Sequence, residues 1–230
     1  MTITTTTLTR AAGVAAVAGG LLYIGVQINH PHLDLDFIAT AEWKVRQSMK
    51  VLFATLSLAG ITGMYLRQVK RTGVLGLIGY VVLALGFVFM VSIEIAGAFV
   101  LPAIAHSSPD YVTDILAVAV PGGHAVGDIG LMGPLINLDG VLYLAGGLLF
   151  GIALFRARVL ARWAAALLAI GSVATLAIPL LPQVNFRLFA IPTGVALVGL
   201  GYSLWREQRT PAARSLPAAM SVLLDPVDAK

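Results

Sequence analysis

The sequence predicts an all-α fold, a membrane bundle of six transmembrane helices, and three observations carry that reading. The first is the stretch from Gly73 to Ala105, GVLGLIGYVVLALGFVFMVSIEIAGAFVLPAIA, which is apolar for about the 20 residues that a helix needs to cross a bilayer core. The second is composition: of 230 residues, 58% are hydrophobic and 11% charged, where a soluble domain uses about 25% charged residues to cover its surface. Mean hydropathy is +0.91, so the bilayer has to be the main solvent. The third is that the basic residues sit at the ends of apolar segments. A formal charge of +4 and a pI of 9.6 would suggest nucleic acid for a soluble chain. Here topology accounts for them, so the expected partner is the lipid bilayer, not nucleic acid. The absence of cysteine excludes disulfides, thiolate metal sites and thiol redox chemistry.

Residues 1–10 form a Thr-rich tail. An Arg before the first hydrophobic run resembles a signal peptide, yet no small-x-small cleavage site follows, which predicts a retained first span. The transmembrane domain covers 11–205. Span 1 is about Ala11–Ile28, with Ala12, Ala16 and Gly20 at the four-residue spacing that lets helices approach closely in lipid. An outer loop, 29–48, follows; from Asp36 as N-cap to Gln47 it predicts an interfacial helix, with Trp43 at headgroup level. Span 2 is about Met49–Leu66, closed by Arg67, Lys70 and Arg71. Span 3 runs from Gly73 to about Leu101, with Pro102 at its exit and a smooth face at Gly73, Gly76, Gly79 and Gly86.

The second outer loop, 102–133, opens on Ser108 as cap and Pro109 at the first helical position of a short interfacial or re-entrant helix. Its second half, PGGHAVGDIGLMGP, is turn-like. Span 4 is about Pro134–Phe155, with Gly147 and Gly151 as a GxxxG step. Arg156, Arg158 and Arg162 close a tight hairpin into span 5, about Val159–Leu181, ended by Pro179 and Pro182. QVNFR leads to span 6, about Phe186–Trp205, which Pro192 should bend. Residues 206–230 form a polar tail in which SLPAAMSVLL is placed to touch the membrane surface.

Counting Lys and Arg gives the orientation. Arg10, Arg67, Lys70, Arg71, Arg156, Arg158, Arg162, Arg206, Arg209, Arg214 and Lys230 fall on one side, and Lys44, Arg46, Lys50 and Arg187 on the other. Eleven against four puts both termini in the cytoplasm of a multi-pass plasma (inner) membrane protein. The loop 102–133 has three Asp and no Lys or Arg, as an external loop should. The two cytoplasmic hairpins share a Gly, a short apolar stretch and basic residues, a pattern given equally by duplication and by convergence on positive-inside hairpins.

On this topology the intramembrane polar groups share a depth. Glu94 lies about two turns before the outer end of span 3, while Asn137 and Asp139 open span 4. Gln27 closes span 1, with Asn29 and His30 just beyond. A charge at the bilayer centre costs about 2.5–3.5 kcal/mol on insertion scales, so a lone carboxylate there calls for a reason. Glu94 and Asp139 are the candidate catalytic pair, general acid and partner base or orienter; Gln27, Asn29, His30, Asn137 and Trp43 are the candidate substrate contacts. The competing reading makes both carboxylates helix-packing hydrogen bonders or snorkelling groups.

In NHPHLDLD, His30, His32, Asp34 and Asp36 alternate, and an extended backbone would put all four on one face as a Zn²⁺ set. An ordinary solvated loop is the preferred reading, and neither a metal nor a cofactor is assigned. His106 and His124 lie in the outer loop with nothing to fix their distance, and no histidine sits inside a span to hold haem. Tyr80, Phe87, Phe89, Phe99, Tyr143, Phe150 and Phe155 serve packing or lipid contact more readily than a pocket. No GxxxxGK[ST], HExxH or G-x-S-x-G motif is present.

Through GLLYIGVQINHP, AGITGMYLRQ, the Glu94 span ending in Pro102, and FRARVLARWAAALLAIG, the chain resembles small uncharacterised six-span integral membrane proteins of actinobacteria. The resemblance covers most of residues 10–205 and implies a fold, with no activity attached. In plan alone it is also similar to integral-membrane terpene cyclases, which use carboxylates within a helical bundle; no residue is carried over from them. Three functions stay open. One is an acid–base enzyme, of isomerase or cyclase type, acting on a lipophilic small molecule such as an isoprenoid or lipid. The second is a proton- or cation-coupled transporter, and the third an accessory or scaffolding membrane protein. The lack of buried charge in the cytoplasmic half favours a one-sided site over a carrier.

Overall fold

Small residues decide how the helices of this chain meet. The computed structural model describes residues 3–180 and 185–207, and among these every regular element is helical. Helix α1 is Thr5–Gln27, α2 Leu35–Ile38, α3 Ala41–Ile95, α4 Leu101–Ile104, α5 Pro109–Val118, α6 Met132–Ala157, α7 Arg162–Ala174 and α8 Ala190–Glu207. A π-helical turn, Ala96–Val100, joins α3 to α4, and 3₁₀ turns at Thr175–Leu180 and Phe186–Phe189 follow α7 and precede α8.

Four helices among the described residues are long and apolar enough to cross a membrane: Thr5–Gln27, the 64-residue run Ala41–Ile104, Met132–Ala157 and Arg187–Glu207. At 1.5 Å per residue the 64-residue run would be about 96 Å long if straight, three times a bilayer core. It is not straight. Gln68 (φ −132°, ψ 22°) and Gly73 (φ 59°, ψ −156°) leave helical geometry, and the positive φ at Gly73 is one that glycine adopts without a Cβ clash. The chain reverses there. Tyr65 stacks on Tyr80 at 4.6 Å, Phe53 meets Phe87 edge-on at 5.8 Å, and Thr62 and Tyr80 hydroxyls lie 3.1 Å apart. Residues 41–67 and 74–95 are thus two antiparallel arms.

Each neighbouring pair of rods is antiparallel. Ala12 and Ala16 of α1 pack on Gly63 and Gly60 of the first arm, and Gly13 faces Gly201 of α8. Gly79 and Gly146 let the second arm and α6 meet backbone to backbone: a Cβ on Gly146 would stand 2.4 Å from the Leu83 nitrogen. Gly147 and Gly151 receive Ser172 and Ala169 of α7, and Gly171 receives Pro192 and Thr193 of α8. Among the described residues the result is a closed ring of six helical rods. Its core holds Phe53, Ile61, Met64, Leu83, Phe87, Phe150, Leu154, Leu168, Leu197, Leu200 and Leu204. The outward faces stay apolar, with Val74, Leu21, Ile170 and Trp163 more than half exposed, as lipid-facing residues are. A second cluster, Phe37, Ile38, Trp43, Leu101, Val112, Ile115, Leu116 and Ile129, caps one end.

Several boundaries differ from those the sequence predicts. No separate helix starts at Asp36. Asp34 instead caps α2, its Oδ1 accepting from the Phe37 amide at 2.7 Å, and Thr40 caps α3, which continues unbroken into the first arm. Trp43 is 2% exposed rather than set among headgroups, because the second cluster closes over it. Pro102 does not end its helix; the π turn absorbs it and α4 continues to Ile104. Ser108 occupies the cap position of α5 without a side-chain bond, and Pro109 is its first residue. Pro192 falls in the first turn of α8, directly after the 3₁₀ turn Phe186–Phe189, where its missing N–H breaks no α-helical bond. Gln183 and residues 208–230, with SLPAAMSVLL among them, lie outside the described residues.

Candidate functional site

The site follows from the reversal at Gly73. Because the two arms run antiparallel, Lys50 of the first comes to face Glu94 of the second, with Nζ 3.5 Å from Oε1. The Gln47 side chain, one turn earlier, lines the same cavity as that carboxylate. Asp139, in the second turn of α6, completes the set. The carboxyls interact electrostatically, and both line a cavity of about 180 Å³ with Trp43, Gln47, Lys50 and Gly97. Leu33, Ile115, Leu116 and Met132 supply apolar walls. Lys50 and Glu94 side chains are 21% and 16% exposed, so the pair is shielded without being sealed. The Lys50 ammonium pairs with Glu94 and not with Asp139, whose Oδ1 is buried without a hydrogen-bond partner.

Local sequence explains the cavity's shape. The π turn pairs the Leu101 N–H with the Ala96 carbonyl, five residues back. The next N–H in that register would be residue 102, a proline without one, so the Gly97 carbonyl is left open. Trp43 fills it, donating Nε1–H at 2.8 Å. Gly97 also admits Gln47: a Cβ there would lie 2.7 Å from Gln47 Nε2. π turns of this kind recur at functional sites.

The other sequence-predicted residues spread over three places. Trp43 lines the cavity with Glu94 and Asp139. Gln27 and Asn137 line an adjoining groove of about 550 Å³ with Tyr23 and Arg187, separated from the cavity by Ile136 and Ala119, which wall both. Asn29 takes a left-handed φ of 48° and its carbonyl accepts from Arg46, which also donates to the Val26 and Ile28 carbonyls and so closes the end of α1. His30 is half-buried against the edge of Phe37, its Nδ1 2.9 Å from the Pro31 carbonyl. Burial pushes its imidazole down to about 4, nearby Arg187, Lys50 and Arg46 act the same way, and the Pro31 bond opposes them. His30 is therefore neutral at pH 7.

The stretch His30–Asp36 is not extended throughout, because helix α2 begins at Leu35. With Asp34 capping α2 and Asp36 in its first turn, the alternation no longer presents one face. No group of three metal-ligating side chains occurs among the described residues. Beside the carboxylates, Tyr23 stacks on Phe53 at 4.2 Å, Phe53 meets Phe87, and Phe87 meets Tyr143 at 6.2 Å. The Tyr143 hydroxyl points at that of Tyr23 at 3.5 Å. These rings belong to the core below the cavity and do not line it, and Tyr23 lines the adjoining groove. Lys50 and Gln47 are the members that sequence reasoning missed.

Compared with protein-family models, curated proteins and solved structures, the chain matches none.

Proposed function

We propose that the chain spans the plasma membrane six times with both termini in the cytoplasm, and that its outer-end cavity is an acid–base site for a lipophilic substrate, an isoprenoid or other lipid. In this reading Asp139 moves the proton. Glu94, engaged by Lys50, fixes the local charge and the ammonium's position. The observation that carries the reading is the buried, unpartnered Oδ1 of Asp139 in a cavity that also holds an ion pair. A buried polar atom without a partner costs about 1–3 kcal/mol, and a ligand group supplying the missing bond recovers it.

An adjoining groove supports a lipophilic substrate. A lipid-facing hollow of about 220 Å³, walled by Val88, Phe89, Ala96 and Leu135, shares Ile93 and Met132 with the cavity. An apolar chain would lie in the hollow while its reacting end met Asp139.

The test is proton transfer to carbon. The protein is reconstituted in vesicles of total lipid extract in D₂O, and the lipids are analysed by mass spectrometry for deuterium in C–H bonds. Wild type should label a lipid, and Asp139→Asn should label it about 100-fold or more slowly, the usual worth of a positioned acid or base. Absence of labelling by the wild-type protein removes the acid–base reading.

A further inference from the structure

We propose a second site at the opposite end of the ring, a pocket for the phosphodiester of an anionic lipid with a hydroxylated headgroup such as phosphatidylglycerol. The turn between the two arms and the turn between α6 and α7 enclose a hollow of about 480 Å³ lined by Arg67, Gln68, Lys70, Arg71, Arg158 and Glu207. Arg67 pairs with Glu207 across it. Lys70, Arg71 and Arg158 are exposed and form no ion pair among the described residues, so three positive charges line the hollow unpaired, while its one lining carboxylate, Glu207, is taken by Arg67.

Charge of that sign at helix ends is what any inner membrane face carries; a second observation makes this a site. Gln68, which forms part of the wall, is 2% exposed, and neither its Nε2 nor its Oε1 has a hydrogen-bond partner. Its backbone, too, departs from the helix at that residue. Glu207 Oε2 is a further buried atom without a partner. The hollow is thus lined by three cations, and in its wall one amide donor and two acceptors are buried without partners, so a ligand reaching them needs only a local side-chain shift. A bare phosphate would satisfy the donor and the cations. A glycerol headgroup also brings O–H donors for Gln68 Oε1 and Glu207 Oε2, and its acyl chains enter the lipid that the bundle already faces. Basic pockets between helix ends are a known form of headgroup recognition.

The experiment uses the full chain in nanodiscs of mixed phosphatidylglycerol and phosphatidylcholine, with the lipids that stay bound after release counted by native mass spectrometry. Wild type should retain phosphatidylglycerol in preference, and the preference should weaken as salt rises. Each neutralised cation in Lys70→Gln, Arg71→Gln and Arg158→Gln should reduce it about fivefold, and Gln68→Leu should reduce it at constant charge. Equal retention of the two lipids by the wild type, or an unchanged preference in the triple variant, overturns the proposal. Inorganic phosphate, titrated into the protein in phosphatidylcholine nanodiscs, separates the sources. If phosphate alone raises the melting temperature as far as phosphatidylglycerol does, the lipid assignment fails.

Discussion

Trp43 donates its indole N–H to the Gly97 carbonyl at 2.8 Å, a bond spanning the whole length of the α3 hairpin. That carbonyl is open because Pro102 has no N–H to offer in the π register. Trp43→Phe keeps most of the apolar contact with Phe37, whose ring lies 5.5 Å away, but orphans the oxygen. The expected loss is about 1–3 kcal/mol of stability, read from unfolding in mixed detergent. A loss no larger than that of an exposed tryptophan, such as Trp163→Phe, would mean that the bond contributes nothing.

Lys50 and Glu94 should behave as one unit. Removing either partner leaves a poorly solvated charge, and breaking such a pair costs about 3–5 kcal/mol when fully buried. With side chains 21% and 16% exposed, the lower part of that range applies. Glu94→Gln and Lys50→Met should each destabilise, and the double variant should be more stable than either. Additive losses in the double-variant cycle would show that the two side chains act separately.

Glycines on α6 should divide into two kinds. A Cβ at Gly140 meets nothing within 4 Å, whereas at Gly146 it meets the Leu83 backbone at 2.4–2.5 Å. Gly140→Ala should be neutral or stabilising by about 0.5–1 kcal/mol, because alanine loses less backbone entropy. Gly146→Ala should cost about 1–3 kcal/mol by forcing the two helices apart. Thermal unfolding of the pair decides, and equal melting temperatures would refute the close-packed contact.

Much of this arrangement was legible in the sequence, for identifiable reasons. Runs of apolar residues ended by Arg and Lys mark rods and turns, and the small residues Ala12, Ala16, Gly147 and Gly151 meet their neighbours as their spacing predicts. Depth alone placed Glu94 and Asp139 on one cavity, since a helix converts residue count into height. Rotation was not legible. Gln27 and Asn137 share that depth, yet face the adjoining groove because packing turned their helices. Lys50 counted only as an outer-side charge. Pairing its span with the next across a turn near residue 71 would have set it opposite residues 92–94. The burial of Trp43 needed α2 and α5 to fold over it, and that is a tertiary event without a local signature.

His30 gives the fold a pH dependence of definite sign. Its folded value, about 4, lies below the ordinary 6.5 because burial disfavours the charged ring. Between those two values the unfolded chain holds a proton that the folded chain does not. The stability that neutral His30 contributes is therefore complete above pH 6.5, declines as pH falls toward 4, and levels off below. Nε2 of the ring is buried without a partner, so protonation would place a charged donor where no acceptor stands. Comparing the melting temperatures of wild type and His30→Asn from pH 8 to pH 4 isolates this share from that of the other titrating groups. The difference between the two curves should change only within that window, with the wild type losing ground as the medium is acidified. Parallel curves throughout would mean that the imidazole is solvated in the folded protein, and that the contact with Phe37 does not shield it.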